Sequence, residues 1–299
     1  MSTSETMLNA FSVDVEEYFH PSEVGAHVSS AQWSSLPSRV ESGTAYVLDL
    51  LEAFDVRATF FILGWVASEH PYLVRRIAAA GHEIACHSHE HRLVYELSPT
   101  QFKADTKAAV KAIEDACGVT PRTYRAPSFS ITENSLWALD VLAECGFTHD
   151  SSICPIVHDR YGIPGSPRHA HVIHTPSGQI TEIPVATVQL SGNRVAPIGG
   201  GGYLRIFPYR YTAAGIRRVN RVEGEPACVY VHPWEVDPGQ PRLANGPIAR
   251  MRTYLGLSSM GPKLTRLLQD FRFSTIRDVY ARISPEQSFG VAEAVTVSA

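Results

Sequence analysis

The feature that most constrains this chain is the alternation of short apolar runs with helix-periodic stretches through its first half. NAFSVDV (residues 9–15) is an apolar run ending in acids and predicts a buried strand. TAYVLDLLEAF (44–54) has helical spacing, and VRATFFIL (56–63) is β-branched and aromatic, a second strand. YLVRRIAAA (72–80) predicts a helix closed by Gly81, and HEIAC (82–86) a third strand. Ser98 is placed as the N-cap of a helix that runs through Lys111 and stops before Gly118. RTYR (122–125), a helix over Ser135–Cys145 stopped by Gly146, and a strand over Phe147–Asp150 complete the series. Strands alternating with helices predict an α/β fold, a parallel sheet or barrel. Polar residues gather where the strands end, and in such folds catalytic groups collect at the C-terminal strand ends. Asp14, His87, His91, Arg125 and Asp150 are therefore expected on one rim.

The character changes after Asp150. Residues 154–226 are richer in Pro, Gly and His and read as an insertion packed on the rim, with an alternating strand over Gln179–Thr187. ACVYV (227–231) returns to the sheet and ends at His232; a helix-rich stretch and a last strand near Phe273–Ile276 follow. The domain expectation is a barrel over 1–153 and 227–285, the insertion over 154–226, and a disordered tail over 286–299. A hydrophobic content of 44 % argues against disorder elsewhere, and a formal net charge of −4 gives no reason to expect nucleic acid. The five cysteines are scattered without a CxxC pair, so reduced, packed thiols are expected rather than a disulfide framework. The N-terminus lacks a basic start and a long apolar core, and no apolar run approaches a membrane span, so the expected location is the cytoplasm.

The chemistry-bearing residues are few. His87 and His91 lie four apart in HSHEH; if that segment turns helically, both imidazoles face one way and can bind one cation. A solvated His-rich turn would have the same spacing. Two imidazoles leave a tetrahedral site one protein ligand short, and Asp14 and Glu16, on one face by strand alternation, are the candidate carboxylates. One would hold the cation and the other would take a proton from water. Glu17 would point to the opposite face. HEIACH spaces its histidines five apart, so it does not match HExxH, and His82 reads as structural. Arg125, fixed by the Ala126-Pro127 turn, could orient a carboxylate; His232, at a strand end before Pro233-Trp234-Glu235, could protonate a leaving amine. The Gly199–Gly202 run lacks the phosphate-loop pattern and is either a close approach to substrate or a plain turn. No GxSxG elbow is present.

Taken in order, SVDVEE, HSHEH (87–91), YRAP (124–127) and Val231-His232, with ATFF at 58–61, resemble the polysaccharide deacetylase family, the chitooligosaccharide deacetylase-like group with a distorted parallel barrel. The resemblance covers residues 9–155 and 225–235. It implies Asp14 as catalytic base, His87 and His91 as metal ligands, Arg125 bracing Asp14, His232 as general acid, and Asp150 near the acid that polarises that histidine. The family's usual first motif has two adjacent aspartates; here Val15 follows Asp14, so the metal carboxylate shifts to Glu16. The DVE start, the GGGY segment and the HPWE ending look like the subgroup associated with exopolysaccharide export loci. The implied cofactor is a divalent cation, zinc above others. The implied activity is removal of N-acetyl groups from a glycan, with Pro127, Tyr203 and Trp234 at the substrate; the alternative is hydrolysis of a small cyclic amide or ureide at the same site. A carbohydrate is the partner this implies, with no nucleic acid and no membrane span; a homo-oligomer stays open.

Overall fold

Seven of the eight residues in the first strand are buried, as a run with protein on both faces demands. The computed structural model describes residues 7–25, 27–190, 194–281 and 288–290. Among them lie twelve strands: β1 (Leu8–Val15), β2 (Thr59–Ile62), β3 (Glu83–Cys86), β4 (Thr123–Tyr124), β5 (His149–Asp150), β6 (His171–Thr175), β7 (Gly178–Glu182), β8 (Thr187–Gln189), β9 (Val195–Pro197), β10 (Cys228–Val231), β11 (Arg272–Ser274) and β12 (Ser288–Gly290). The chain divides into two compact units.

The first unit comprises Met1–Thr59, Ala186–Val188 and Ala196–Val279. Strand β1 pairs in parallel with β10, from Ala10 opposite Cys228 to Val13 opposite Val231. It also pairs in parallel with β11, from Leu8 opposite Arg272 to Ala10 opposite Ser274. The register has a direct consequence for function. Asp14 and His232 each follow a paired residue, so two positions far apart in sequence emerge side by side at the strand ends. The helix Val40–Ala53 buries Val40, Val47, Leu48 and Leu51. Gly43 lets it approach the turn after His232, because a Cβ there would stand 2.4 Å from the Pro233 carbonyl oxygen.

The N-terminus of that helix explains Glu17. Its carboxylate is fully buried and accepts the Arg39 amide on both oxygens at 3.0 Å, together with the Ser38 hydroxyl. A buried anion at a helix N-terminus satisfies otherwise orphaned donors and the positive end of the dipole. Glu17 is thereby committed to the fold.

The second unit comprises Phe60–Val185, Gln189–Val195 and Tyr280–Ala299. Its strands run in the order β2-β3-β4-β5-β7-β6-β12. Cys86 stands opposite Tyr124, Tyr124 opposite Asp150, and Asp150 opposite Glu182, all parallel. His87, Arg125 and Ser151 therefore leave three neighbouring strands at one level. The β6–β7 pair is antiparallel. The helix Pro99–Cys117 begins with the expected Ser98 cap, which forms a capping box with Gln101, and ends at Gly118 in the left-handed region with φ +73°. Its buried face carries Phe102, Ala109 and Ile113.

Three expectations change here. The strand expected over Gln179–Thr187 is two, β7 ending at Glu182 and β8 starting at Thr187. Pro184 lies between them and has no N–H to give to a ladder. The glycine run is neither a loop nor a bare turn, since Gly201 and Gly202 open a helix, Gly201–Ile206. Of the 286–299 tail, residues 288–290 form β12 beside β6 and the rest lies outside the described residues. The five cysteines are free. No helix among the described residues is long and apolar enough to cross a membrane.

Glu17→Ala is expected to lower the unfolding free energy by about 2 kcal/mol, the cost of leaving buried donors unpaired, while zinc binding by the folded variant is unchanged. Urea denaturation and calorimetric zinc titration check the two halves of that statement.

Candidate metal centre and acid–base residues

Asp14, Glu16 and His232 lie in the first unit. Asp14 and Glu16 are each 2 % exposed. Both converge on His232, whose Nε2 lies 3.9 Å from Asp14 Oδ2 and 3.7 Å from Glu16 Oε1. These are charge contacts rather than hydrogen bonds. Glu16 Oε1 accepts the Trp234 indole N–H at 2.9 Å, and the Trp234 ring stacks on His232 with centroids 4.9 Å apart. One tryptophan thus fixes both a carboxylate and the imidazole.

The other side of His232 is held by a residue that sequence reasoning did not single out. Its Nδ1 and its backbone N–H both meet Glu235 Oε2, at 3.2 and 3.0 Å. Pro233 opens a tight turn, Pro233–Val236, which folds Glu235 back onto the histidine. The second oxygen, Glu235 Oε1, accepts Arg205 Nε at 3.1 Å, and both side chains are 1 % exposed. Arg205 also donates to the carbonyls of Leu255 and Arg252, the latter at 2.7 Å. The imidazole Nδ1 has room for one partner, and Glu235, three residues away, occupies it. The signal was in the HPWE segment, but Arg205 carries no sequence mark.

Gly201 has its reason here. A Cβ on it would fall 1.9 Å from Glu235 Oε2, so only glycine lets the helix that carries Arg205 reach the carboxylate. The electrostatics follow from the contacts. Burial disfavours charge on His232, yet Glu16, Glu235 and Asp14 outweigh it and push the ring up to about 9. Burial also opposes the Glu235 anion, but the His232 hydrogen bond and charge and the Arg205 charge hold it below the usual carboxylate value.

The second unit supplies the imidazoles. The rings of His87 and His91 are 5.4 Å apart at 67°. The segment between them is not helical, as expected from the spacing, but a loop: Ser88 and His91 have φ of +68° and +54°. Asp105, on the Pro99–Cys117 helix, ties this loop down. It accepts the Ser88 hydroxyl at 2.6 Å, the His89 amide at 2.9 Å and the Glu90 amide at 3.2 Å. No motif pointed to Asp105, because its role depends on where the helix packs. His87 Nδ1 lies 2.8 Å from the Arg125 carbonyl oxygen. A carbonyl only accepts, so Nδ1 carries the hydrogen and Nε2 presents its lone pair, the tautomer that ligation needs.

Arg125 is fully buried, donates to Ser151 through Nε at 3.2 Å and Nη2 at 2.9 Å, and lies 4.1 Å over the Phe61 ring. Pro127 is buried at the head of a short turn in which Ser128 and Phe129 have φ of +52° and +54°. Asp150 is fully buried and accepts the Ser152 hydroxyl at 2.6 Å. Trp234 is 8 % exposed and committed to Glu16 and His232, and Tyr203 stacks on Phe207 with centroids 6.4 Å apart.

The chain is similar to known proteins in two successive segments. Residues 33–149 match the polysaccharide deacetylase family model, and residues 151–281 match a domain of unknown function, DUF3473. The chain is 38 % identical over 101 residues to the chitooligosaccharide deacetylase of Bradyrhizobium sp. (strain ANU 289), covering 33 % of this chain and 43 % of that protein. It is 33 % identical over 98 residues to a peptidoglycan-N-acetylglucosamine deacetylase of Bacillus cereus, covering 32 % of this chain and 36 % of that protein. The chain thus spans less than half the length of these two relatives. Among solved structures it is similar to a candidate polysaccharide deacetylase from Mycobacterium smegmatis, with TM-score 0.64, 19 % identity and 97 % and 95 % of the two chains covered. It is also similar to the allantoinase PuuE, with TM-score 0.60, 16 % identity and 93 % and 90 % covered. At these identities the two structures establish the shared α/β fold.

A pH dependence follows from His232. Its folded value lies above the ordinary 6.5, so the stabilisation is complete below about 6.5 and is lost as the pH rises through about 9. In metal-free protein the urea midpoint is expected to fall across that window. In Glu235→Gln, which removes one of the anions on the ring, the fall is shallower.

Proposed function

The chain belongs, over residues 33–149, to the polysaccharide deacetylase family, and on that premise we propose that it is a metal-dependent hydrolase of N-acetylated carbohydrate. In this reading it removes acetyl groups from a polysaccharide or its oligosaccharide precursor. The observation that carries the reading is His232 placed between Glu235 on one side and Asp14 and Glu16 on the other, anions that favour its charged form. A structural histidine needs no such set of anions, whereas a general acid does.

The proposed holders of the cation are Glu16, His87 and His91. Two neutral imidazoles and a carboxylate suit zinc. His87 is set in the ligating tautomer by Arg125, and Glu16 is oriented by Trp234 while Glu17 is spent on a helix end. A divalent cation held there would polarise the amide carbonyl and acidify water. The chain's own residues do the rest. Asp14 takes the proton of the attacking water as its oxygen bonds to the acetyl carbon. His232 gives its proton to the amide nitrogen as the C–N bond breaks, leaving acetate and a free amine. Glu235 keeps the imidazole oriented and compensates its positive charge before transfer, and Arg205 keeps Glu235 ionised. Arg125, fixed by Ser151, is proposed to brace Asp14. The relatives described as chitooligosaccharide and peptidoglycan-N-acetylglucosamine deacetylases support an N-acetylglucosamine polymer as the substrate class.

The test is acetate release from N-acetylglucosamine oligomers, with and without added zinc. Wild type is expected to release acetate only with metal. Asp14→Asn and His232→Asn are expected to lose about 10²- to 10⁴-fold, the usual worth of a positioned acid or base, with zinc still bound. Wild type that holds zinc and releases no acetate would shift the reading to a small cyclic amide or ureide.

A further inference from the structure

Asp150 and Glu182 take no part in the steps above, yet both are fully buried carboxyls. They stand opposite each other on the parallel strands β5 and β7. Asp150 Oδ1 accepts the Ser152 hydroxyl at 2.6 Å, and Glu182 Oε1 accepts the Ile153 amide at 2.9 Å. The second oxygens, Asp150 Oδ2 and Glu182 Oε2, are buried as well, and no N–H, serine, threonine or tyrosine hydroxyl among the described residues donates to either. Because Asp150 stands opposite Glu182 in a parallel pair, the two side chains leave the same face of neighbouring strands. An ionised carboxylate can only accept, so a bond between the two would need a proton on one of the pair. Two bare anions at this depth would also carry a large desolvation cost with mutual repulsion.

We propose that Asp150 and Glu182 share a single proton and act together as positioning residues for Arg125 and His87. The charged and titratable groups facing the pair are few. Arg125 on β4's end favours the Glu182 anion, but burial and the Asp150 charge outweigh it and raise Glu182 well above the carboxylate range. Burial raises Asp150 as well. Cys154 is pushed up to about 12 by burial, so it stays a neutral thiol. His171, opposite Glu182 on β6, is lowered by burial and adds no cation at neutral pH. The proton therefore resides on Glu182 and the negative charge on Asp150.

The pair connects to the metal side through short steps. Asp150 holds the Ser152 hydroxyl, which accepts the Ala126 amide at 2.8 Å. Ser151, between them, receives two bonds from the Arg125 side chain. The Arg125 carbonyl fixes the His87 ring at 2.8 Å. The peptide that orients His87 thus hangs on Asp150, and Asp150 keeps its charge in a buried place because Glu182 supplies a proton to it. The positioning role rests on the reading of His87 as a metal ligand; the shared proton does not.

The experiment uses the full chain. An infrared difference spectrum of zinc-free wild type against Glu182→Gln at neutral pH is expected to contain a protonated-carboxyl stretch belonging to wild type. Its absence would overturn the shared proton. Calorimetric zinc titration then separates the variants. Glu182→Gln, whose amide still donates to Asp150, is expected to stay near wild-type affinity, while Glu182→Ala loses about 10- to 100-fold, as for other groups that orient metal ligands. Equal losses in both, or none in either, would overturn the positioning role, and if Glu182→Ala does not fold, Asp150→Asn takes its place with the same expected loss. Wild type that binds no zinc but keeps the infrared band would sink the metal reading and the assigned task together, leaving the shared proton in place.

Discussion

The parallel register of β1 against β10 is the constraint on which the acid–base half of this protein depends. It sets Val13 beside Val231, and so brings Asp14 and His232, 218 positions apart, out of the sheet together. Nothing local in either segment could do this. The strands in turn are fixed by burial: their apolar residues face protein on both sides, and a shift by one position would turn every side chain over. The chemistry of the first unit is therefore a by-product of a packing problem with one good solution. The second unit repeats the logic with three parallel strands, whose aligned ends place His87, Arg125 and Ser151 at one level.

Both units bury an unusual amount of charge, and each neutralises it locally by a different device. In the first, cations and anions alternate: Arg205 against Glu235, Glu235 against His232, and His232 against Asp14 and Glu16. In the second, a proton does what a cation does in the first, sitting between Asp150 and Glu182. Breaking a buried ion pair by removing one partner costs about 3–5 kcal/mol, so these groups are held as sets and not as independent residues. A helix end takes the remaining anion of the first motif, Glu17. That three consecutive-looking acids, Asp14, Glu16 and Glu17, end in such different surroundings is a matter of which face of one strand end each leaves from.

Much of this was legible in the sequence. The α/β alternation, the Ser98 cap and Gly118 stop of one long helix, and the ordered motifs at Asp14, His87, His91, Arg125 and His232 all depend on short-range pattern, and short-range pattern is what a sequence displays. The separation of Glu16 from Glu17 was readable from strand alternation for the same reason. What was not legible depends on long-range packing. Glu235 reaches the His232 imidazole through a proline-led turn. Trp234 was expected at the substrate, and its burial against Glu16 is a property of the packed core. The HSHEH segment was expected to converge its imidazoles by helical periodicity; it does so through left-handed loop residues tethered to Asp105, a helix residue with no motif around it. Glu182 was invisible because its importance comes only from its neighbour on the next strand.

The glycine run shows how unevenly such a core constrains its own sequence. Gly202 has open space where a Cβ would go, while the adjacent Gly201 has a carboxylate oxygen 1.9 Å from that point. Two identical letters side by side thus differ entirely in tolerance: one position can drift through many residue types, and the other admits a single one. A low-complexity stretch that looks like slack in the chain contains a position as restrictive as any catalytic side chain, and it is restrictive because of what is missing from it.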